Sequence, residues 1–581
     1  MNHLKQNMPL LAVVAITSLM LLPFLGLTDF NTKGEPREAV VALSMLKDGN
    51  WILPINNGCD IPYKPPFFHF CIALLSMLSG SVSEYTSRLP SALSLVAMTA
   101  GVFVFYRRRT DTATAFLAAV LLATSFEVHR YANNCRVDMM LTAFIVGSLL
   151  LCYRWRERGS RGLPLLAVLC MSGAVMTKGP VGFILPCFVM VTFSLLRGDR
   201  PLPTLLRYAL IALLSCLIPA AWYIAAWQQG GDQFLSLVYE ENIGRMTGTM
   251  SYESHEHAFT YNFFTLFTGW VPWTLLIVFS LFALPWRKLR GMAAIRPRLS
   301  AVSDIKLFTW LCFLLVLFFY CLPSSKRSVY LLPCYPFMAV LMAQYIHWLW
   351  ATRRRGCLRV YVYVIASLSL LLTVAFVAVR MGLVHDGIFH GKHAADNIAM
   401  LHSLRDGELP LWSLMLIVLQ LAVCMDAVQL VARRSRERQR AVLYAMTAPV
   451  VTLMIMLDGV FLPSILNSKS LRPMAQLIAK TFPGEPLYQY IDDKMMHFFG
   501  ADFYLNDSMA QFEPPQRSIG VSLTGGKTPE RGVLVVPEGD FAALEKRHPE
   551  YTFTHVMTTE RRMAEVKGRV SFYRFALKHD K

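Results

Sequence analysis

Four polar stretches of this 581-residue chain carry side chains that could do chemistry. The first, 28–66, contains Gly34-Glu35-Pro36-Arg37-Glu38 and ends in Tyr63-Lys64-Pro65-Pro66. The second runs from His129 to Asp138 and includes Arg130 and Arg136. The third, Glu240–His257, holds Glu240, Glu241, Arg245, Glu253, His255, Glu256 and His257. The fourth is Ser324-Ser325-Lys326-Arg327-Ser328-Val329-Tyr330. This mixture of cations and carboxylates suits a transfer in which a lipid-linked phosphate is the leaving group. Lys and Arg bind the phosphate and stabilise it as it departs with an extra charge. A carboxylate takes a proton from the attacking group or positions it.

Each stretch also has a simpler reading. Two prolines fix the backbone beside Lys64, and its stem could lie along apolar surface with the ammonium at an interface. Asp138 heads an apolar run, where it is either a helix cap or a costly charge kept for function. The His and Glu of the third stretch could bind a divalent ion, but they lack the i, i+4 pairing of a helical metal site and equally fit a solvated loop. Lys326 and Arg327 could hold a lipid phosphate or reach for the interface.

The elements that must position these groups are membrane spans. Hydrophobic residues make up 55% of the chain and charged residues only 16%, against about a quarter in soluble proteins. Apolar runs near 9–27, 88–106, 112–127, 138–153, 163–178, 181–196, 208–226, 261–284, 304–322, 329–350, 360–379, 411–431 and 441–462 are candidate spans. The run 67–80 is ambiguous and could lie at the interface. The net charge of +18 sits in clusters between apolar runs, which points to topology rather than nucleic acid. With 67–80 not crossing, one set of loops holds 26 Lys and Arg and the other 14. The positive-inside rule then gives thirteen spans, an inside N-terminus and an outside C-terminus. The first run, 9–27, lacks a small-x-small cleavage site and reads as an uncleaved helix. The four polar stretches fall together on the outer face.

Most of the twelve cysteines lie in apolar runs, and there is no CxxC, so a thiol-ligated metal is not expected. The tail, 465–581, is polar, with turn signals at Pro483-Gly484, Gly525-Gly526 and Pro537-Glu538-Gly539. Strand-like runs at Gly532–Val536 and Val570–Ala576 and a helical stretch at Asp540–Lys546 predict a small α/β domain.

An ordered set of motifs runs through residues 10–350: Gly34-Glu35-Pro36-Arg37-Glu38-Ala39, Gly49-Asn50-Trp51-Ile52-Leu53-Pro54, Tyr63-Lys64-Pro65-Pro66, Val137-Asp138, Thr177-Lys178-Gly179, Glu241-Asn242-Ile243-Gly244-Arg245, His255, Gly269-Trp270-Val271-Pro272-Trp273 and Ser325-Lys326-Arg327 through Pro333. In these the chain resembles the GT-C membrane glycosyltransferases, specifically the lipid A aminoarabinose transferases and the related protein O-mannosyltransferases. The resemblance implies an α-helical polytopic enzyme of the bacterial inner membrane. Residues 1–464 would form the catalytic unit, with 28–87 as a periplasmic loop bearing interfacial helices, and 465–581 a periplasmic α/β domain. It implies a polyprenyl (undecaprenyl)-phosphate sugar donor and, as acceptor, lipid A or an exported protein. Lys64 matches the lysine that holds the donor phosphate, Arg37 the arginine of the first-loop motif, and Asp138 the second essential aspartate. Arg245 and Lys326 would assist Lys64.

The chain departs from that pattern twice. The usual Asp-Glu-x-Arg reads Gly34-Glu35-Pro36-Arg37, which makes Glu35 the nearest replacement for the missing acid. Some relatives place a metal-ligating Glu before the Lys-Pro pair, where this chain has Tyr63. No metal site is therefore expected; if a divalent ion is used, His255 is the candidate ligand. The competing readings are a transporter of lipid-linked sugars, which should carry mid-membrane polar residues and paired broken spans, and a surface-polysaccharide polymerase or ligase.

Overall fold

A computed structural model describes residues 2–62, 64–244, 247, 256–282, 301–391, 394–433, 439–492, 496–513, 529–563, 565–566 and 568–578. Each of the thirteen predicted apolar runs is mainly helical where described, with turns at 25–27, 124–125 and 270–272. Among the described residues eight helices are long and apolar enough to cross a membrane, and up to eleven if each of three bent pairs forms one span. The shorter helices Leu165–Lys178 and Val181–Leu196 coincide with two further predicted runs. Leu205, Leu206, Leu213, Leu370, Leu371, Met415 and Val418 stand exposed along these helices. So large an outward apolar surface belongs in lipid rather than water, and the protein is a multi-pass membrane protein.

The helices start where local chemistry allows. We label α1 (Asn2–Leu21), α2 (Gly34–Asp48), α3 (Phe67–Ser79) and α4 (Glu84–Arg107). Ser83 caps α4 in a reciprocal box: its Oγ accepts from the Thr86 amide, and the Thr86 hydroxyl accepts from the Ser83 amide. Next come α5 (Thr112–Ala123), capped by Asp111, α6 (Phe126–Ala132), α7 (Val137–Glu157) and α8 (Leu165–Lys178). Inside the bundle Phe105, Tyr153, Phe193 and Phe308 pack ring against ring, with Tyr153 and Phe308 centroids 4.5 Å apart.

The ambiguous run becomes α3, a helix of 13 residues. At 1.5 Å per residue it is about 20 Å long, too short for a bilayer core of about 30 Å. It packs against α2 and α4. Gly49 ends α2 in the left-handed conformation, at φ 69°. A tight turn follows, in which Asn56 and Asp60 exchange backbone hydrogen bonds of 2.8 and 2.9 Å.

The tail forms a five-stranded sheet of order β2-β1-β3-β5-β4, from β1 (Leu487–Gln489), β2 (Met509–Gln511), β3 (Arg531–Pro537), β4 (Tyr551–Thr558) and β5 (Val570–Leu577). β1 pairs parallel with β2 and β3, while β5 is antiparallel to β3 and β4. The helix Phe541–Arg547 follows β3. The predicted strands are β3 and β5; β1, β2 and β4 are additions. One face of the sheet packs Val533, Val535 and Phe572 against Leu471, Ile478 and Phe498.

Candidate functional site

The charged groups of the first loop converge on Glu38, one helical turn into α2. Its Oε1 is ion-paired with the Lys64 ammonium, and Arg37 stands 3.4 Å away. Its Oε2 lies 2.9 Å from Nε2 of His69, a fully buried residue of α3. Burial alone would push the Glu38 carboxyl up. Lys64, the His69 hydrogen bond and Arg37 outweigh it and hold Glu38 well below the usual carboxylate range. Glu38 is therefore a fixed negative charge that orients Lys64 and His69. Pro65 and Pro66 anchor the chain just beyond Lys64, so the ammonium is delivered from a stiff segment.

Asp138 forms the second centre. It sits in the first turn of α7, buried, and its Oδ1 is ion-paired with Lys178 at the end of α8. The Lys178 ammonium also stands 4.5 Å from the centre of the Tyr330 ring. Lys64 and Arg136 add to the positive potential at Asp138, which links the two centres. Asn242, in the turn Glu240–Gly244, approaches Gly179 beside Lys178. The Arg136 guanidinium lies against the Gly34 backbone so closely that a Cβ at position 34 would overlap it. The missing acid of the first-loop motif thus leaves room for a cation.

Glu35, expected to act as the catalytic carboxylate, is placed elsewhere. It is fully buried and forks onto Arg88, with contacts of 2.8 and 3.2 Å. It also accepts the Cys135 amide at 3.0 Å. Arg88 spends its other donors on Leu25, Thr28 and Asp29. The pair is an internal tie between α2, α4 and the segment before α7. Lys326 is buried too, and its ammonium donates to the carbonyls of Pro323 at 2.7 Å and His257 at 3.0 Å. It braces the loop in which Glu256 bridges Ser325. Arg245, His255 and Tyr63 lie outside the described residues. Among the described residues no three His, Cys, Asp or Glu side chains group to hold a metal.

The sequence reading missed Glu38, His69, Arg136 and Lys178 as site residues. His69 is the one imidazole in an apolar run, five residues after Lys64, and that isolation was the available signal. With these included, the site is a cluster in which Lys64, Arg37, Arg136 and Lys178 stand near two buried carboxylates, Glu38 and Asp138. It can hold an anion and stabilise charge developing on it.

Residues 63–224 match the family model described as dolichyl-phosphate-mannose-protein mannosyltransferase. An uncharacterized protein of Aquifex aeolicus is 28% identical over 339 residues, 58% of this chain and 64% of that protein. The undecaprenyl phosphate-alpha-4-amino-4-deoxy-L-arabinose arabinosyl transferase 2 of Proteus mirabilis is 26% identical over 320 residues, 54% of each chain. The chain thus spans between half and two thirds of the length of the curated relatives it matches. The crystal structure of ArnT from Cupriavidus metallidurans bound to undecaprenyl phosphate superposes with a TM-score of 0.70 at 18% identity, over 97% of both chains. The fold is that of the GT-C membrane glycosyltransferases, as the ordered motifs implied. Within that class its architecture is that of ArnT, bundle and C-terminal sheet domain together.

Proposed function

We propose that the protein is a glycosyltransferase that moves a sugar from an undecaprenyl-phosphate donor to lipid A on the periplasmic face of the bacterial inner membrane. The single observation that carries this reading is the convergence of Lys64, Arg37, Arg136 and Lys178 around Glu38 and Asp138. The ArnT-like fold and the names of the curated relatives support it. In this reading residues 1–464 form the catalytic membrane unit and 465–581 the periplasmic domain. The N-terminus is cytoplasmic, in keeping with the loop charges.

Lys64 and Arg37, together with Arg245, bind the donor phosphate. An acceptor oxygen attacks the anomeric carbon, a new carbon–oxygen bond forms, and the bond to undecaprenyl phosphate breaks. The departing phosphate takes the bonding electron pair and gains charge, which the cations stabilise. Glu38, held in its ionised form, is a weak base and keeps Lys64 in place. Asp138 with Lys178 orients the acceptor. A phosphate acceptor is already ionised at neutral pH and needs no base, and this favours lipid A over a Ser or Thr hydroxyl.

Mass spectra of lipid A and of envelope glycopeptides, from cells carrying wild type or Lys64→Ala, test the assignment. The expected result is a mass of one sugar lost from lipid A alone. Loss from glycopeptides would move the reading to protein O-glycosylation. No change in either fraction, with the variant folded, would remove Lys64 from the mechanism and favour a transporter or a polysaccharide enzyme.

A further inference from the structure

We infer that the C-terminal domain sets the spacing between Glu38 and Lys64, and that Asp507 is the positioning residue through which it does so. The inference rests on the reading of that ion pair as the donor-phosphate site.

The first loop reaches the site by two branches. One is α2, which carries Arg37 and Glu38. The other is the turn Asn56–Asp60, which leads to Lys64. A single carboxylate from the C-terminal domain grips both. Asp507 Oδ2 accepts from the Ser44 hydroxyl at 2.7 Å, and its Oδ1 accepts from the Asn57 amide at 2.8 Å. Ser44 lies six residues after Glu38 and Asn57 seven before Lys64, so the bridge closes a short ring through the ion pair. Lys47, at the end of α2, donates to the Asn506 and Asp507 carbonyls at 3.1 and 2.7 Å.

The grip is built rather than incidental. Asn506 and Asp507 both have left-handed backbones, φ 60° and 51°, a conformation that costs non-glycine residues energy and persists where surrounding contacts enforce it. Asp507 is buried, and its amide donates to the Asp502 carbonyl at 2.9 Å. Asp502 is also fully buried and accepts the Met509 amide at 2.8 Å, which fixes the segment to β2. Flanking contacts repeat the pattern. His497 lies 2.7 Å from Asp60, and the Phe30 amide donates to the Tyr504 hydroxyl at 3.0 Å. Phe503 packs edge-on to Phe30 with centroids 4.9 Å apart. The domain therefore holds the beginning, middle and end of the catalytic loop, and among the described residues Asp507 is the side chain that hydrogen-bonds to both branches that meet at the ion pair.

The test uses full-length protein in detergent, with hydrogen–deuterium exchange and undecaprenyl phosphate as the binding probe. In Asp507→Ala, exchange should rise in 34–48 and 56–62 while the spanning helices stay protected. The Kd for undecaprenyl phosphate should rise roughly tenfold, as expected when hydrogen bonds to a charged group are lost. Asp507→Asn should restore both, because its amide oxygen still accepts from Asn57 and its NH2 can donate to the Ser44 oxygen. Exchange rising only inside the C-terminal domain, with loop and binding unchanged, would overturn the inference. So would an Asn variant as defective as Ala. If Asp507→Ala does not fold, Ser44→Ala removes one branch alone and is read in the same way. If wild type fails to bind undecaprenyl phosphate, the donor reading falls, and the exchange data still decide whether the domain positions the loop.

Discussion

Two glutamates three residues apart on α2 have opposite fates, and that difference is measurable. Glu35 neutralises Arg88 inside the protein, whereas Glu38 faces the half-buried Lys64. Removing one partner of a buried ion pair leaves an uncompensated charge and costs about 3–5 kcal/mol. Glu35→Gln should therefore lower the thermal midpoint markedly in detergent, and Lys64 chemistry would be lost only as the fold is lost. Glu38→Gln also takes the charge out of a buried cluster and should lower the midpoint too, but in protein that is still folded it should cut sugar transfer on the order of a hundredfold, as loss of one preorganised electrostatic group does. A stable, inactive Glu35→Gln would reverse these assignments. The sequence could not separate the two. Lys64 and Asp138 were legible because prolines and a span boundary marked them. The partner that sets Glu35 apart lies 53 residues away, and His69 is concealed in an apolar run. Tertiary pairing, not local pattern, decides which acid meets the site.

Elements were read more completely than residues, because the bilayer imposes its requirement on every span separately. The thirteen apolar runs are mainly helical where described, and the ambiguous run 67–80 holds a helix of 13 residues, shorter than a bilayer core. In the tail, β3 and β5 announced themselves as apolar runs beside turns. β1 and β2, three residues each, are too short for any alternation to register. β4 interleaves Thr and His with its apolar residues and is only partly buried. The junction of α2 with the segment before α7 carries its own prediction. A methyl group at position 34 would collide with the Arg136 guanidinium, the movable end of a long side chain. Gly34→Ala should thus keep the fold while displacing the cation. Arg136→Ala should weaken undecaprenyl phosphate binding to a similar extent, and the double variant should be no worse than Arg136→Ala alone, since both changes remove one interaction. Additive losses in that cycle would show that Gly34 acts independently of Arg136.

At the scale of the whole molecule the question is how the C-terminal domain stays seated on the loop that holds the site. The seat contains a buried acid. Glu565 accepts the Gly500 amide at 3.3 Å through one oxygen, and the other has no hydrogen-bond partner among the described residues. Gly500 belongs to the helix Phe499–Tyr504, whose end carries Tyr504 to the Phe30 amide and to Glu84. Burial pushes the Glu565 carboxyl up to about 8, against smaller lowering effects from the Gly500 amide and Lys33. The folded state therefore holds a proton that the unfolded chain releases near its ordinary value of 4.5. Stability should be greatest below that value and fall as pH rises towards 8, by up to about 1.4 kcal/mol per unit. Thermal unfolding of the purified protein between pH 5 and 9 would reveal the slope. Glu565→Gln keeps a neutral side chain of the same shape, so it should flatten the curve and raise the midpoint most at the alkaline end. Wild type and Glu565→Gln falling in parallel would place the titrating group elsewhere. A flat wild-type curve would mean that Glu565 ionises inside the folded domain without cost, and that the seat tolerates a charge which its packing argues against.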